Sequence, residues 1–423
     1  MTEWLFLLLP LAAFSGWWLA HRTQAGRGSG GAIPDAAFLR GLNYLLDQRP
    51  DKAIDLFVKL AEVDSDTVEL HLALGSLFRR RGEVERAIRI HQNLVARPGL
   101  DLAQRGFALY ELAQDYNRAG LFDRAEALLL ELIEIEPGER RGLRGLLDIY
   151  QQEKDWARCL EIAQRLALIS NRPMDVELAQ YHCELAEEAL RAPASGAAPS
   201  AASGEAAERA REHLRAAQAA HPKCVRAMLL GGRLAIERGD AATALGLYRR
   251  VAEQGPAFIS EVLPQLVEVL SAQGGDSLIA ELERLYRIRP GSALALALAE
   301  ALEAAQGPDA AGDRLARHLR DFADPIALER LLTLAPPSPE PGVPPASSGP
   351  LWAHLETVRR VVRRLAERHG AYQCDHCGFL ARRLHWQCPS CKRWGTIKAA
   401  QPETMQGDAG PRPPSTPIPG DRT

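Results

Sequence analysis

One spacing of small and bulky residues recurs along the first half of the chain and constrains its fold more than any other feature. Successive copies begin at Gly41, Gly75, Ala113 and Leu147, at intervals of 34, 38 and 34 residues. Three positions later each copy has an aromatic residue: Tyr44, Phe78, Tyr116 and Tyr150. Twelve positions after the start stand Ala53, Ala87, Ala125 and Cys159, and four further on stand Phe57, His91, Leu129 and Ala163. Because small residues let two helices approach closely while an aromatic ring fills the gap beside them, each copy predicts a packed helix pair.

These offsets, with Pro98 and Pro137 where second helices should stop, are the tetratricopeptide pattern. The predicted fold class is all-α, with a tetratricopeptide-repeat solenoid over residues 35–334 whose concave face binds peptide or protein surfaces. A sixth unit fits the offsets with Gly232, Ala235, Ala244, Tyr248 and Val251. A fifth is expected to have helices over residues 181–190 and 205–220. Two or three further pairs, broken at Pro290 and Pro325, follow over 258–334 with no fixed register.

Four clustered cysteines near the C-terminus form two Cys-x-x-Cys pairs, ten residues apart: Cys374, Cys377, Cys388 and Cys391. Each pair is typical of a tight turn that points two sulfurs inward, so together they predict a tetrahedral site for one metal ion, iron or zinc, in a rubredoxin-like module over residues 371–399. Gly378 follows the first pair, where such a turn needs a positive φ. Disulfides are the alternative interpretation. Three scattered cysteines are expected in the helical core: Cys159, Cys183 and Cys224.

The N-terminal segment from Trp4 to Ala20 has 17 residues without a charge, the short end of what a membrane-spanning helix needs. Positive charges follow at Arg22 and Arg27, so residues 1–21 are predicted to be a single-pass anchor with the N-terminus outside and the bulk of the chain in the cytoplasm. A cleaved signal peptide is disfavoured, since no Lys or Arg precedes the apolar stretch. Because the cytoplasm is reducing, the clustered cysteines are interpreted as metal ligands rather than disulfides.

The remaining segments are connections. Residues 22–34 form a flexible tether, 335–350 a Pro-rich linker and 400–423 a disordered tail. The Ala/Ser-rich stretch 191–204 is interpreted as a disordered loop. The linker predicts that the metal module and the solenoid are separate, so that the solenoid should stay folded when the metal is lost.

An amphipathic basic helix is predicted over residues 351–370. Its apolar stripe is Leu351, Leu355, Val358, Val362 and Leu365. Arginines surround the stripe at positions 359, 360, 363, 364 and 368. We favour docking of the stripe on the solenoid or the metal module, and contact with anionic lipid headgroups is the alternative.

Charge and side-chain chemistry exclude several function classes. The chain carries a net charge of −3; residues 351–398 hold +7, which leaves −10 elsewhere, so no nucleic-acid partner is expected. The solenoid shows no Ser/His/Asp set and no phosphate-binding glycine loop, which predicts a protein that is not an enzyme. Four histidines are expected to pack or face water: His71, His91, His182 and His213. The run from Arg79 to Arg81 is expected to be a solvated helix end.

Three short segments carry a family resemblance: residues 372–379, 385–391 and 394–398. Together with the N-terminal anchor and the tandem repeats, they resemble the bacterial lipopolysaccharide assembly protein B family. The resemblance implies that Cys374, Cys377, Cys388 and Cys391 are the metal ligands. It also implies an inner-membrane adaptor that works with the AAA+ protease FtsH to promote degradation of the lipid A pathway deacetylase. The resemblance further implies an inner-membrane partner that senses lipopolysaccharide.

Other function classes stay open. A rubredoxin-like iron site would suit electron transfer, and a zinc ribbon on a scaffold would suit nucleic-acid binding, although a membrane anchor argues against the latter. A tetratricopeptide scaffold for a different membrane complex is a further alternative. The metal, the client and the oligomeric state are not determined by the sequence.

Overall fold

A computed structural model of the chain describes residues 36–47, 49–63, 67–136, 139–170, 173–191, 199–272, 274–334, 350–368, 372–399 and 403–404. These residues are mostly helical, and the chain divides into two compact units, Met1–Glu153 and Lys154–Thr423. The predicted anchor and tether lie outside the described residues. Among the helices that are described, none combines the length and the apolar character needed to cross a membrane.

The first unit contains consecutive helices that pack on their neighbours, as the repeat predicts. Its described helices are α1 (Ala36–Leu46), α2 (Pro50–Val63), α3 (Val68–Arg81), α4 (Val84–Val95), α5 (Leu102–Arg118), α6 (Phe122–Ile135) and α7 (Arg140–Glu153). Asp101 caps α5 with a side-chain oxygen that accepts from the amide of Gln104, while the Gln104 side chain accepts from the Asp101 amide. This capping box fixes where the third pair begins.

Size complementarity inside each pair explains the sequence pattern. A Cβ atom added to Gly75 would lie 2.9 Å from Cδ2 of His91, and one added to Gly41 would lie 3.0 Å from Cδ1 of Phe57. Both bulky side chains are fully buried. The glycine of the first helix is therefore required by the ring that the second helix places against it.

A buried polar network joins the second and third pairs. His91 and Asp115 are both inaccessible to solvent, and His91 Nδ1 lies 2.5 Å from Asp115 Oδ2. Arg79 donates to Asp115 Oδ1 at 2.8 Å and to Glu111 Oε2 at 2.6 Å. The expectation that Arg79 is a solvated helix end is therefore wrong, because carboxylates on the next helix pair bind its guanidinium group. Arg80 and Arg81 are exposed, as expected.

The second unit continues the helical pattern and ends in small strands. Its helices are α8 (Trp156–Ser170), α9 (Asp175–Arg191), α10 (Pro199–Ala220), α11 (Val225–Glu237), α12 (Ala241–Gln254), a 3-10 helix (Pro256–Phe258), α13 (Ile259–Ser271), α14 (Gly275–Ile288), α15 (Ser292–Gln306), α16 (Pro308–Asp321), α17 (Pro325–Leu334) and α18 (Pro350–Arg368). Within it the pairs are α9 with α10, α11 with α12, α13 with α14, α15 with α16, and α17 with α18.

The fifth pair corrects the interpretation of the Ala/Ser-rich insertion. Residues 199–204 belong to α10, which begins at Pro199 rather than at Glu205. Proline is tolerated in the first turn of a helix, because backbone N–H groups there make no hydrogen bond within the helix. The alanines that follow have a high helix propensity. Residues 192–198 lie outside the described residues.

The last pair corrects the predicted domain organisation. Helix α18, predicted as a separate basic helix, packs on α17 as the second helix of a pair. The Pro-rich stretch therefore connects two helices of one pair and does not divide the solenoid from the metal module. Pro290 and Pro325 fall at helix boundaries as expected, while Pro264 is accommodated within α13.

The end of the chain also departs from the expected tail. Strand β5 (Glu403–Thr404) pairs antiparallel with β1 (Phe322–Ala323), which follows α16 directly. Two residues of the segment predicted as disordered therefore add a strand to the solenoid.

The three scattered cysteines are all buried, as predicted for core residues, and the Sγ atoms of Cys183 and Cys224 lie 3.9 Å apart. His182 and His213 face each other, with 3.2 Å between their Nδ1 atoms. Burial, together with the neighbouring His213, lowers the pKa of His182.

Two glycines in neighbouring helices allow a matched test of the size rule. A Cβ added to Gly232 would lie 2.7 Å from Cζ of the buried Tyr248, whereas one added to Gly246 would meet nothing within 4 Å. We expect Gly232→Ala to lower the free energy of unfolding by about 1–3 kcal/mol, since the ring must move within a packed core. Gly246→Ala should raise it by about 0.5–1 kcal/mol, because alanine is the better helix former. Amide hydrogen exchange in α11 and α12 measures both effects, and equal effects of the two substitutions would contradict the size rule.

Candidate metal centre

The C-terminal module is built on a three-stranded antiparallel sheet in the order β3, β2, β4. Its strands are β2 (Tyr372–Cys374), β3 (Leu380–Ala381) and β4 (Ile397–Ala399). Strand β2 carries the first cysteine at its end, and the turn that follows returns the chain as β3. The second Cys-x-x-Cys segment lies between β3 and β4, so the sheet brings both turns to the same end of the module.

The two turns have the same backbone hydrogen bonds. The amide of Gly378 donates to the carbonyl of Cys374, and the amide of Lys392 donates to the carbonyl of Cys388, each at 2.9 Å. Gly378 has the predicted positive φ, at 75°, and Lys392 has 61° at the equivalent position. A left-handed residue after each pair is what turns the chain sharply enough to leave both sulfurs on the inner side.

The sulfur positions fit a tetrahedral metal. The four Sγ atoms all lie within 4.8 Å of one another. Cys374 Sγ is 3.8 Å from Cys391 Sγ, and Cys377 Sγ is 3.7 Å from Cys388 Sγ. A regular tetrahedron with metal–sulfur bonds of about 2.3 Å has sulfur–sulfur edges of about 3.8 Å. The predicted ligands are thus brought together with room for one ion, and zinc and iron both suit this donor set.

Protonation differs within the cluster. Burial opposes the thiolate of Cys374, but the hydroxyl of Thr396, with Oγ1 3.3 Å from Sγ, and the amides of His376 and Cys377 bring its pKa down to about 6. Burial and the neighbouring sulfurs raise the pKa of Cys391 to about 12. A bound metal cation would favour the thiolate of Cys391 as well, because its positive charge offsets the repulsion between neighbouring sulfurs.

Within the second unit, Trp394 packs the module on helices α8 and α9. Its ring meets Trp156 and Tyr181 edge-on, with both centroid distances at 5.9 Å, and those two rings stack on each other. Trp394 keeps only 9% of its surface exposed. Edge-to-face packing of this kind adds to the free energy gained from burial alone.

Trp386 makes the second contact. Its ring stacks on Phe258 at 5.5 Å, and Arg226 Cζ lies 5.7 Å from the ring centroid. Arg226 is itself buried, and its guanidinium group binds Glu184 at 2.9 Å and Glu187 at 2.7 Å. The two carboxylates stabilise the positive charge of Arg226 and fix its orientation, so the surface that receives Trp386 is preorganised.

A hydrogen bond from the Tyr372 hydroxyl to Glu261 makes the third contact. Burial, with a smaller contribution from Glu261, raises the pKa of Tyr372 to about 12, so the phenol keeps its proton and remains a donor. The expectation that the module is separate from the solenoid is therefore wrong. The module contacts α8 and the first helices of the next three pairs, α9, α11 and α13, together with the 3-10 helix that precedes α13.

Sequence reasoning missed the residues that receive the module: Trp156, Tyr181, Arg226, Phe258 and Glu261. One signal was available. A module of about 28 residues cannot bury Trp386 and Trp394 within itself, so both predict an external surface. The residues that form this surface belong to no sequence motif, so they could not be identified in advance.

Comparisons with known proteins agree with this geometry. The family model described as rubredoxin metal binding domain matches residues 372–399, and the tetratricopeptide repeat model matches residues 34–99 and 195–257. Lipopolysaccharide assembly protein B of Escherichia coli K12 is 34% identical over 400 residues, which cover 94% of this chain and 98% of that protein. The chain belongs to the lipopolysaccharide assembly protein B family. The resemblance noted from the sequence is therefore confirmed.

A second member, from Haemophilus influenzae, is 32% identical over 408 residues, with 94% of this chain and 98% of that protein covered. Family membership accounts for the order of elements, with repeats first and the Cys₄ module last. The helix pairs and the metal module of this chain follow the same order as in its relatives of the lipopolysaccharide assembly protein B family.

Proposed function

We propose that the chain is an adaptor, not an enzyme, that regulates lipopolysaccharide biosynthesis from the cytoplasmic face of the inner membrane. Relatives named lipopolysaccharide assembly protein B and a fold made of protein-binding repeats support this proposal. Residues 4–20 would be the anchor, with the N-terminus outside. Tethering of this kind raises the effective concentration of a soluble client beside a membrane partner to about the millimolar range.

The four clustered cysteines would hold a structural metal, zinc or iron. The ion would supply the positive charge that fixes the two turns and, through them, the positions of Trp386 and Trp394. The module would then complete the scaffold rather than carry electrons. Metal analysis of the anaerobically purified chain separates the alternatives, because a ferric thiolate site is red and a zinc site is colourless.

The proposed client is the deacetylase of the lipid A pathway, delivered to the membrane-bound protease FtsH. An inner-membrane protein that senses lipopolysaccharide would regulate this delivery. In the second unit the metal module covers part of the first-helix surface, so the client is assigned to the first helices of the first unit.

One observation in the first unit carries the proposal. Phe107 on α5 is 44% exposed, and Arg141 on α7 lies over its ring with Cζ 4.3 Å from the centroid. Glu139 binds the Arg141 guanidinium at 2.8 Å and 3.2 Å, which fixes its orientation. An exposed aromatic ring under a held arginine is typical of the anchor residues of protein interfaces.

We expect Phe107→Ala to weaken client binding on the order of tenfold and to lengthen the half-life of the deacetylase in cells. The matched control is Leu130→Ala, because Leu130 is 42% exposed but lies on α6, a second helix. Deacetylase half-life is measured after protein synthesis is stopped, with the wild-type chain, each variant and no chain.

An unchanged half-life in cells without the chain would overturn the adaptor function. An equal effect of Phe107→Ala and Leu130→Ala would overturn the assignment of the client surface only. Inactivation of FtsH should abolish every difference between the strains; if differences persist, a different protease acts downstream.

A further inference from the structure

Helix α18 presents an apolar strip that the fold leaves uncovered. Val358, Val361 and Leu365 are 46%, 51% and 52% exposed, whereas Val362 beside them is buried. At about 100° per residue, the three exposed side chains fall within about 60° of one another on the helix surface. The strip is thus a narrow ridge along the helix, unlike the stripe through Val362 that the sequence suggested.

The orientation of α18 is fixed from its opposite side. Arg359 donates to the carbonyl oxygen of Leu332 at 2.7 Å, and Arg363 donates to Glu329 Oε1 at 3.1 Å. Both acceptors belong to α17. Two arginines therefore attach the helix to the solenoid, and the strip cannot rotate inward without breaking both contacts.

The other two arginines of this segment are exposed. Arg360 and Arg364 follow each other by one turn, and Arg364 lies about 60° from Val361 around the helix axis. The sequence from Thr357 to Ala366 contains four arginines and no carboxylate. The outward surface of α18 therefore combines an aliphatic ridge with two exposed arginines.

We propose that this surface of α18 lies on an anionic lipid bilayer. Aliphatic side chains at one-turn spacing beside arginines are what a helix in the membrane interface needs, with apolar side chains below the headgroups and guanidinium groups on lipid phosphates. Charge complementarity selects the anionic lipid. The ridge has no aromatic anchor of the kind that protein interfaces favour, which argues against a protein partner. This inference goes beyond the adaptor function and holds whichever client the solenoid binds.

The test uses the full chain reconstituted into vesicles, with amide hydrogen exchange read from peptides of residues 350–368. One set of vesicles contains phosphatidylcholine alone, and in the other about a quarter of the lipid is phosphatidylglycerol. We expect slower exchange over residues 357–366 in the anionic vesicles, by about fivefold for each arginine engaged, and loss of the difference at high salt.

Arg360→Glu combined with Arg364→Glu should abolish the difference between the two lipids. The matched control is Arg250→Glu combined with Arg287→Glu, which makes the same charge change at exposed positions of α12 and α14. Val361→Ser should reduce the protection without changing its salt dependence.

Equal exchange in the two lipids would overturn the proposal. So would protection that survives the Arg360 and Arg364 substitutions, or protection that grows with protein density on phosphatidylcholine alone, which would indicate a second copy of the chain. These exchange measurements do not depend on the half-life of the deacetylase. The adaptor function can therefore fail while the lipid contact is confirmed, and the lipid contact can fail while the adaptor function is confirmed.

Discussion

Replacement of Cys388 by serine is expected to release the metal and unfold the C-terminal module. Cys388 is fully buried, and its Sγ lies 3.7 Å from Cys377 Sγ within the cluster of four. A module of about 28 residues has too small a core to fold alone, so metal binding must supply its folding free energy, typically about 10 kcal/mol or more for a small zinc site. Metal content per chain should fall from about one to near zero.

The same substitution should also loosen part of the solenoid. Trp386 and Trp394 pack on α8, α9, α11 and the 3-10 helix, and these contacts disappear when the module unfolds. Because repeat proteins gain stability from nearest neighbours, the loss should be confined to the pairs beneath the module. Hydrogen exchange should accelerate in α9 and α11 but not in α3 to α5 of the first unit.

A buried cysteine elsewhere supplies the control. Cys159 is inaccessible to solvent in α8 and is remote in sequence from both Cys-x-x-Cys pairs. Cys159→Ser should retain the metal. If Cys388→Ser also retains it, the four-cysteine site is wrong. If the metal leaves while exchange in α9 and α11 is unchanged, the module is not a structural support of the solenoid.

The repeat could be read from the sequence because its determinants are local. Gly232 and Tyr248 are 16 residues apart, and the space that one leaves is filled by the other. The same holds for the metal turns, where two cysteines at fixed spacing and one following residue with positive φ, Gly378 or Lys392, determine the geometry of each turn. Patterns of this kind involve residues at short, fixed spacings, so they can be recognised in a single sequence.

The polar networks could not be read in this way. Arg79 and Asp115 are 36 positions apart and belong to different helix pairs, so neither residue signals the other. The basic run containing Arg79 looked solvated because its partners lie on a neighbouring pair. Only the packing of the pairs shows that Arg79 belongs to a buried network while Arg80 and Arg81 stay exposed.

An insertion prevented the last helix pair from being recognised in the sequence. Residues 335–349 interrupt the last pair, and the spacing between α17 and α18 therefore no longer matches the repeat. A Pro-rich stretch is typical of a boundary between domains, and this led to the expectation of a separate module. The contacts of the module with α8, α9, α11 and α13 arise from tertiary packing that no local pattern encodes.

Trp394→Ala is expected to detach this side of the module from the solenoid while the metal stays bound. Trp394 is 91% buried by contacts that include the rings of Trp156 and Tyr181, and it supplies no sulfur to the cluster. Truncation of a buried tryptophan destabilises a packed interface by about 3–5 kcal/mol. The remaining contacts, Trp386 on Phe258 and Tyr372 on Glu261, should hold the module only loosely.

Two measurements on one sample test this expectation. Metal content should stay at about one ion per chain, whereas amide exchange around Trp156 and Tyr181 should accelerate at least tenfold, since 1.4 kcal/mol corresponds to a factor of ten. Trp394→Phe keeps an aromatic ring at the site and should give a smaller change. If Trp394→Ala releases the metal as completely as Cys388→Ser does, Trp394 belongs to the core of the module and its contact with Trp156 and Tyr181 is secondary. Retention of metal with fast exchange would instead show that the module can fold without docking on the solenoid. Deacetylase turnover measured with Trp394→Ala would then show whether the function needs the docked module or only a folded one.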